Sequence, residues 1–177
     1  QVRAAKPNVI YTSVAGNDTV RLFTQMDEYG VNKGVTVVGA SGTVTSQNMG
    51  AIGKSANGFV TGVGYSPKLD NPANKKFVAD FQKAYNKLPD LYGADSYGLL
   101  YFYKAAVEKA KSTDTDKVRT AMNDLSWQTP QGVKKMRAGD HQAMQDMFAV
   151  RVENGEFNIV GKVSADQAIG ADVCTRF

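Results

Sequence analysis

The stretch from Asn8 to Ala40, NVIYTSVAGNDTVRLFTQMDEYGVNKGVTVVGA, decides the fold. Val9, Ile10 and Tyr11 form an apolar run rich in strand formers, and the segment reads as a buried strand ending at Ala15-Gly16. From Asn17 the spacing changes. Leu22, Phe23, Met26 and Tyr29 recur at helical intervals, and Gly30 suits the helix stop. Asn17 or Asp18 is the expected cap, because a short polar side chain accepts from the free N–H groups of a first helical turn. Val35 to Val38 is a second buried strand. Strand, helix, strand in this order is the crossover unit of a parallel sheet, wound right-handed.

Working outward, the loop Ser41-Gly42-Thr43 leads to a weaker helix from about Thr45 to Ile52, and NGFVTGVGY (57–65) reads as a third strand. Open α/β sheets bind ligands at the carboxyl ends of their strands. Those ends carry Ala15, Gly16, Asn17 and Asp18, then Ala40, Ser41 and Gly42, then Gly64 and Tyr65. Asp18 is compatible with two roles, capping the helix with one oxygen and accepting a hydrogen bond from a cationic or hydroxyl-bearing solute with the other. Ala40 to Thr43 are small, which leaves room for a solute to reach backbone N–H groups at the next helix start.

The pattern breaks at Tyr65. Pro67 and Pro72 exclude a continuing helix or a central strand. Asn71 before Pro72 is a helix start, and PANKKFVADFQKAYNK follows with Phe77, Phe81 and Tyr85 on one stripe. A second long helix lies in LPDLYGADSYGLLYFYKAAVEKAKS, and a third, capped by Asp114 or Asp116, in DTDKVRTAMNDL. Four of the chain's eight tyrosines fall between Tyr92 and Tyr103. Leu99, Leu100, Tyr103, Ala106, Val107 and Ala110 form one helical face, expected in the core. Tyr97 and Tyr101, four apart, are expected to stack along the helix or on its neighbour. Tyr92 stands ahead of the helix and is the candidate binding aromatic. The last third turns to strands, with Phe148, Val150 and Val152 on one side and a hairpin turn at Asn154-Gly155.

Composition excludes several classes. With 42% hydrophobic and 21% charged residues, the chain reads as a globular protein and not a disordered one. No apolar run approaches the 18 residues of a membrane span, and QVRAAKPNV lacks both the apolar core of a signal peptide and an initiator Met, so the chain reads as processed or truncated. Its net charge of +4 is spread without a basic stripe interleaved with aromatics, which argues against a nucleic-acid partner. One Cys and one His cannot build a zinc site. The Gly62-x-Gly64 pair is followed by Pro67 where a dinucleotide fingerprint needs a third glycine, so close approach or a hinge is the better reading. Asp140-His141 has no nucleophile elbow to serve, and a structural role for His141 is expected. No enzyme activity and no cofactor follow from these residues.

In order and spacing, KPNVIYTSVAGNDTVRLFTQ, DNPANKKFVADFQKAYNKLPDLYGADSYGLLYFYKAAVEKA, VRTAMNDLSWQTPQGVKKMRAGDHQA and the late Cys174 resemble the C-terminal half of a type I periplasmic solute-binding protein, of the leucine/isoleucine/valine (branched-chain amino acid) binding family. The resemblance implies an α/β fold with parts of two Rossmann-like lobes, the N-terminal half missing. Residues 1–64 would belong to the second lobe, 65–146 to the first, and 147–177 would cross back as strands. It implies a non-enzymatic, periplasmic or extracytoplasmic receptor that binds a small-molecule solute between closing lobes and delivers it to the membrane permease of an ABC importer. A ligand-sensing domain of a regulator or receptor is the alternative with the same fold. The loop at Ala15, Gly16 and Asp18 matches the family's solute-contacting loop, and Tyr92 matches an aromatic that packs on the solute side chain. Ser41-Gly42 matches a place where leucine/isoleucine/valine binders carry a glutamate for the ammonium group. That glutamate is absent here. Either Asp18 substitutes for it, or the solute is a small aromatic or aliphatic acid. Cys174 could bridge to the missing half in an oxidising periplasm.

Overall fold

The computed structural model describes residues 1–174. In chain order the elements are α1 (Val2–Ala5), β1 (Val9–Thr12), α2 (Asn17–Glu28), β2 (Thr36–Gly39), α3 (Ser46–Ile52), a 3₁₀ turn (Gly53–Ala56), β3 (Val60–Val63), α4 (Pro72–Tyr85), α5 (Leu91–Ala110) and α6 (Thr115–Met122). Then follow β4 (Ser126–Thr129), β5 (Gly132–Met136), β6 (Ala143–Met144), β7 (Met147–Glu153), β8 (Glu156–Val163) and α7 (Ala165–Ala168). The chain forms two compact units. Unit 1 is residues 1–63 with 148–162, and unit 2 is residues 64–147 with the segment from 163 onward.

Unit 1 is a five-stranded sheet in the order β1-β2-β3-β7-β8. β1, β2 and β3 run parallel, with Val9 opposite Thr36 and Val38 opposite Val60. β7 joins antiparallel, Val60 facing Arg151 and Val63 facing Phe148. Phe148, Val150 and Val152 are buried as the alternation predicts, and Asn154 and Gly155 take the two positive φ angles, 54° and 78°, of the hairpin turn. The core is Phe23 and Met26 of α2, Val37, Val44, Met49, Ile52, Phe59 and Val152. Phe23 and Phe59 meet edge to face at 5.5 Å. Tyr29, expected on the inward stripe of α2, is instead exposed. It sits at the C-cap, where the helix has already ended and its ring no longer follows the inward stripe.

Unit 2 pairs three helices with a small antiparallel sheet, β4-β5-β6. β4 was not legible as a strand; it forms because Ser126–Thr129 folds back on β5 through a turn that needs Gly132 at φ +112°. Asn71 and Asp114 cap α4 and α6 as their sequences suggest, accepting from Asn74 N at 2.8 Å and Lys117 N at 3.1 Å. Phe77 is the hub of the aromatic packing, touching Tyr65, Phe81 and Tyr97, and Tyr97 packs along the helix on Tyr101 with centroids 4.8 Å apart, the rings tilted at 46° rather than stacked. The expected core face of α5 holds only at its C-terminal end, where Ala106 is buried and Val107 and Ala110 are half-buried. Leu99, Leu100 and Tyr103 are exposed, and the buried face is Ala94, Gly98, Phe102 and Ala106. Small residues let the β4–β5 hairpin approach the helix axis: a Cβ on Gly98 would lie 3.3 Å from the Thr129 methyl, and Phe102 stacks on Trp127 at 4.4 Å.

His141 Nε2 lies 3.1 Å from Asn123 Oδ1. Asp140 pairs with Arg137, whose guanidinium also donates to the Gly170 carbonyl at 2.8 Å and so holds the tail segment of unit 2.

Candidate functional site

In unit 1 the parallel run of β1, β2 and β3 places the loops after β1 and β2 at one edge of the sheet. Ala15 and Gly16 lie in the first loop and Ser41 and Gly42 in the second. The two loops are tied where Ala40 N donates to Thr12 O at 3.1 Å. Just beneath, Gly39 is mandatory: a Cβ there would lie 2.5 Å from the Thr12 carbonyl and 3.0 Å from the Phe59 ring. Thr61 Oγ1 donates to Gly39 O at 2.8 Å and fixes the third strand in the same layer.

The first loop ends differently from the expectation. α2 starts at Asn17 with Gly16 as its N-cap, at φ 62° and ψ −136°, and no side chain caps it. That backbone conformation favours glycine, so neither Asn17 nor Asp18 stands where a cap must. Thr19 does the local bonding, its hydroxyl donating to Val14 O at 3.2 Å. Asp18 sits in the first turn, largely in solvent, 3.8 Å from Arg21. It complements the helix dipole there.

The second loop carries a group that the sequence reading did not single out. Thr43 is fully enclosed, and its hydroxyl has no hydrogen-bond partner. The loop around it is well anchored. Asn48 donates to Thr43 O at 2.9 Å, and Thr45 and Asn48 form a reciprocal capping box at the start of α3.

Tyr65 and Tyr92 belong to unit 2. Tyr65 is buried, edge to face with Phe77 at 6.3 Å, and its hydroxyl has no partner. Burial, with the Asp90 charge adding to it, pushes the phenol far above its usual pKa, so it stays neutral. At Gly64 before it, a Cβ would meet the Gln145 side-chain amide, so any larger residue would have to displace that side chain. The loop after Tyr65 is organised by Asn74, which is fully buried and donates to Leu69 O at 2.9 Å and Pro67 O at 3.1 Å. Tyr92 is not ahead of its helix. Asp90 caps α5, accepting from Gly93 N at 2.8 Å, and Tyr92 is the second helical residue with its ring exposed.

A surface cavity of about 380 Å³ in unit 1 lies at the opposite end of the strands, bounded by Met49, Gly53, Lys54, Asn57 and Asn154. It contains none of the candidate binding residues. Among the described residues no group of His, Cys, Asp and Glu is placed to hold a metal, and no helix is long and apolar enough to cross a membrane.

Comparison with known proteins assigns this architecture. A family model described as periplasmic binding protein matches residues 1–156. A "Leu/Ile/Val-binding protein homolog 4" of Brucella abortus (strain 2308) is 26% identical over 157 residues, which is 86% of this chain and 37% of that protein. A solute binding protein of an ABC transporter from Rhodopseudomonas palustris BisB5, solved with 3,4-dihydroxybenzoic acid, is 25% identical at a TM-score of 0.81, covering 93% of this chain and 47% of its own. A leucine binding protein from Thermotoga maritima, 21% identical, superposes at 0.82 over 94% of this chain and 48% of its own, and shows the fold alone. The chain thus spans a little over a third of the curated relatives it matches and about half of the solved structures. These relatives are solute-binding proteins, not enzymes. With nearly nine-tenths of its length matched by the family model, the chain belongs to the periplasmic binding protein family.

Proposed function

We propose that this chain is the C-terminal part of an extracytoplasmic receptor that binds a small amino acid or a small aromatic or aliphatic acid and presents it to the membrane permease of an ABC importer. The observation that carries the reading is the carboxyl edge of β1–β3. Ala15, Gly16, Ser41 and Gly42 line it with no side chain longer than a serine, so a solute can reach the backbone N–H groups of both loops. Tyr92, exposed in the first turn of α5, is the proposed aromatic wall, and Tyr65 is a further proposed solute contact.

The acidic group at this edge is weakly placed for an ammonium, because Asp18 lies in solvent beside Arg21. The relative solved with a dihydroxybenzoate supports the acid reading, and the curated relatives' names support the amino acid. Receptor action follows from differential binding. Solute that favours a closed form of its cleft by about 5.5 kcal/mol moves the population from 1:99 to 99:1, and the closed form is what a permease can distinguish.

A thermal-shift screen of the receptor-length protein against amino acids and benzoates tests this. A saturable upward shift with one class, without chemical conversion, is the expected result. Conversion of the bound compound, or no response to either class, overturns it.

A further inference from the structure

We propose that Asp95 is a specificity-determining residue of the solute site, one oxygen of its carboxylate accepting the hydroxyl of a hydroxylated aromatic acid whose ring lies on Tyr92. The inference rests on the receptor reading and narrows its solute class. Tyr92 and Asp95 are three residues apart at the start of α5, so they occupy neighbouring positions on the helix surface. The Tyr92 ring is exposed and the carboxylate is half in water. An aromatic surface and a hydrogen-bond acceptor are therefore open to solvent one turn apart.

The acceptor is held from behind. Lys134 Nζ at 3.0 Å and Gln131 Nε2 at 2.6 Å both donate to Oδ1. Oδ2 accepts from none of the described residues. Lys134 and Gln131 are each 7% exposed, so the groups that fix the carboxylate are themselves fixed. For stability alone this is a poor arrangement. Taking an ammonium out of water offsets much of what its pairing returns, and here the partner stays half hydrated. What the arrangement does provide is a carboxylate whose orientation is set before solute arrives, and preorganisation of that kind favours binding.

Charge decides the solute class. The Lys134 ammonium balances the Asp95 carboxylate, so the pair offers little net attraction to an ammonium and little repulsion to an acid. An uncharged hydroxyl is the donor that suits Oδ2, and hydrogen bonds to an ionised acceptor are the stronger kind. The ring of Tyr92 suits an aromatic body. Among the solutes of the receptor reading, a hydroxylated aromatic acid meets both requirements.

The test is titration calorimetry of the receptor-length protein with benzoate, its 3- and 4-hydroxy derivatives and their methyl ethers. One hydroxybenzoate should bind at least about tenfold more tightly than benzoate and than its own methyl ether, which cannot donate. In Asp95→Asn, Lys134 and Gln131 hold the amide oxygen, so an amide nitrogen takes the place of Oδ2 and cannot accept. The preference for the hydroxyl should then fall to within about twofold, with benzoate itself weakened by less than about threefold. Lys134→Met keeps the carboxylate but frees its orientation, and should cut the same preference severalfold. It keeps the test decisive should Asp95→Asn fail to fold. A preference that survives in Asp95→Asn, or one absent from the unsubstituted protein, overturns the proposal. So does an equal loss for benzoate and hydroxybenzoate, the mark of a purely structural pair. Binding of an amino acid but of no benzoate overturns it and leaves the receptor reading standing, whereas no response to either class overturns both.

Discussion

The ammonium of Lys134 lies 3.0 Å from Oδ1 of Asp95, the lysine side chain almost fully enclosed and the carboxylate half in water. Gln131 Nε2 donates to the same oxygen at 2.6 Å. The pair joins the start of α5 to the β4–β5 hairpin. Its two members are not equivalent. Asp95→Ala strands a buried ammonium, and we expect a loss of about 2–3 kcal/mol, below the full cost of breaking an entirely buried pair because one partner is hydrated. Lys134→Met leaves a carboxylate that water can solvate, and should cost under about 1 kcal/mol. Urea denaturation of the two variants measures the asymmetry; equal losses would contradict it.

Gly39 is the tightest backbone contact in unit 1. Gly39→Ala would press a methyl onto the Thr12 carbonyl and the Phe59 ring, and neither is a flexible chain end. We expect destabilisation of about 1–3 kcal/mol, with a lower midpoint in chemical denaturation. Gly62→Ala, where nothing lies within 4 Å of the added carbon, is the matched control and should change little.

Asp140 should show itself at low pH. The hydrogen bond from Arg137, helped by the Gln142 N–H, holds its carboxyl down at about 2. A folded pKa below the unfolded one contributes stability that is complete above about pH 4 and is lost as pH falls toward 2. The tail segment held through Arg137 should loosen over the same window. Asp140→Asn is expected to flatten this part of the stability–pH curve. A curve of unchanged shape would exclude the assignment.

Tyr92→Ala tests the aromatic wall in the receptor-length protein. Loss of a buried ring contact of about 1.5–3 kcal/mol corresponds to roughly a 10- to 150-fold weaker Kd. Titration calorimetry with the solute found by the screen reads this directly, and unchanged affinity would remove Tyr92 from the site. In this chain alone the variant's stability should hardly move, since the ring is exposed.

Much of the fold was legible because local and global signals agree. Val9–Thr12, Thr36–Gly39 and Val60–Val63 are short strands separated by helical spacings, and they pair in parallel as that alternation requires. Asn71-Pro72 and Asn154-Gly155 carry their geometry in two residues. The facing of α5 was not legible. Its bulky residues suggest one inward face, whereas the hairpin packs on the small ones, Ala94, Gly98 and Ala106. Periodicity counts hydrophobicity, and a close-packed face of Gly and Ala scores low on it. That Ala15-Gly16 and Ser41-Gly42 follow the first two strands was legible from the alternation, but β1 already ends at Thr12, and its Val9 and Tyr11 are exposed where a buried strand was expected, because β1 is the edge strand of the sheet. The role of Gly16 as cap was not legible, because a positive φ before a helix leaves no trace except the glycine itself. Thr43 and the Lys134–Asp95 pair depend on burial and on contacts distant in sequence, and neither has a local signature.

The interruption of unit 1 has a consequence for synthesis. β7 completes the sheet beside β3, yet residues 64–147 separate them in the chain. A ribosome therefore releases the 64–147 part of unit 2 before unit 1 can close its sheet. Until β7 arrives, β3 presents an unpaired edge of four residues, Val60 to Val63, next to a half-formed core. The parallel part of the sheet must wait in a partly folded state for its last two strands, and folding from the nascent chain cannot proceed strictly from the N-terminus onward.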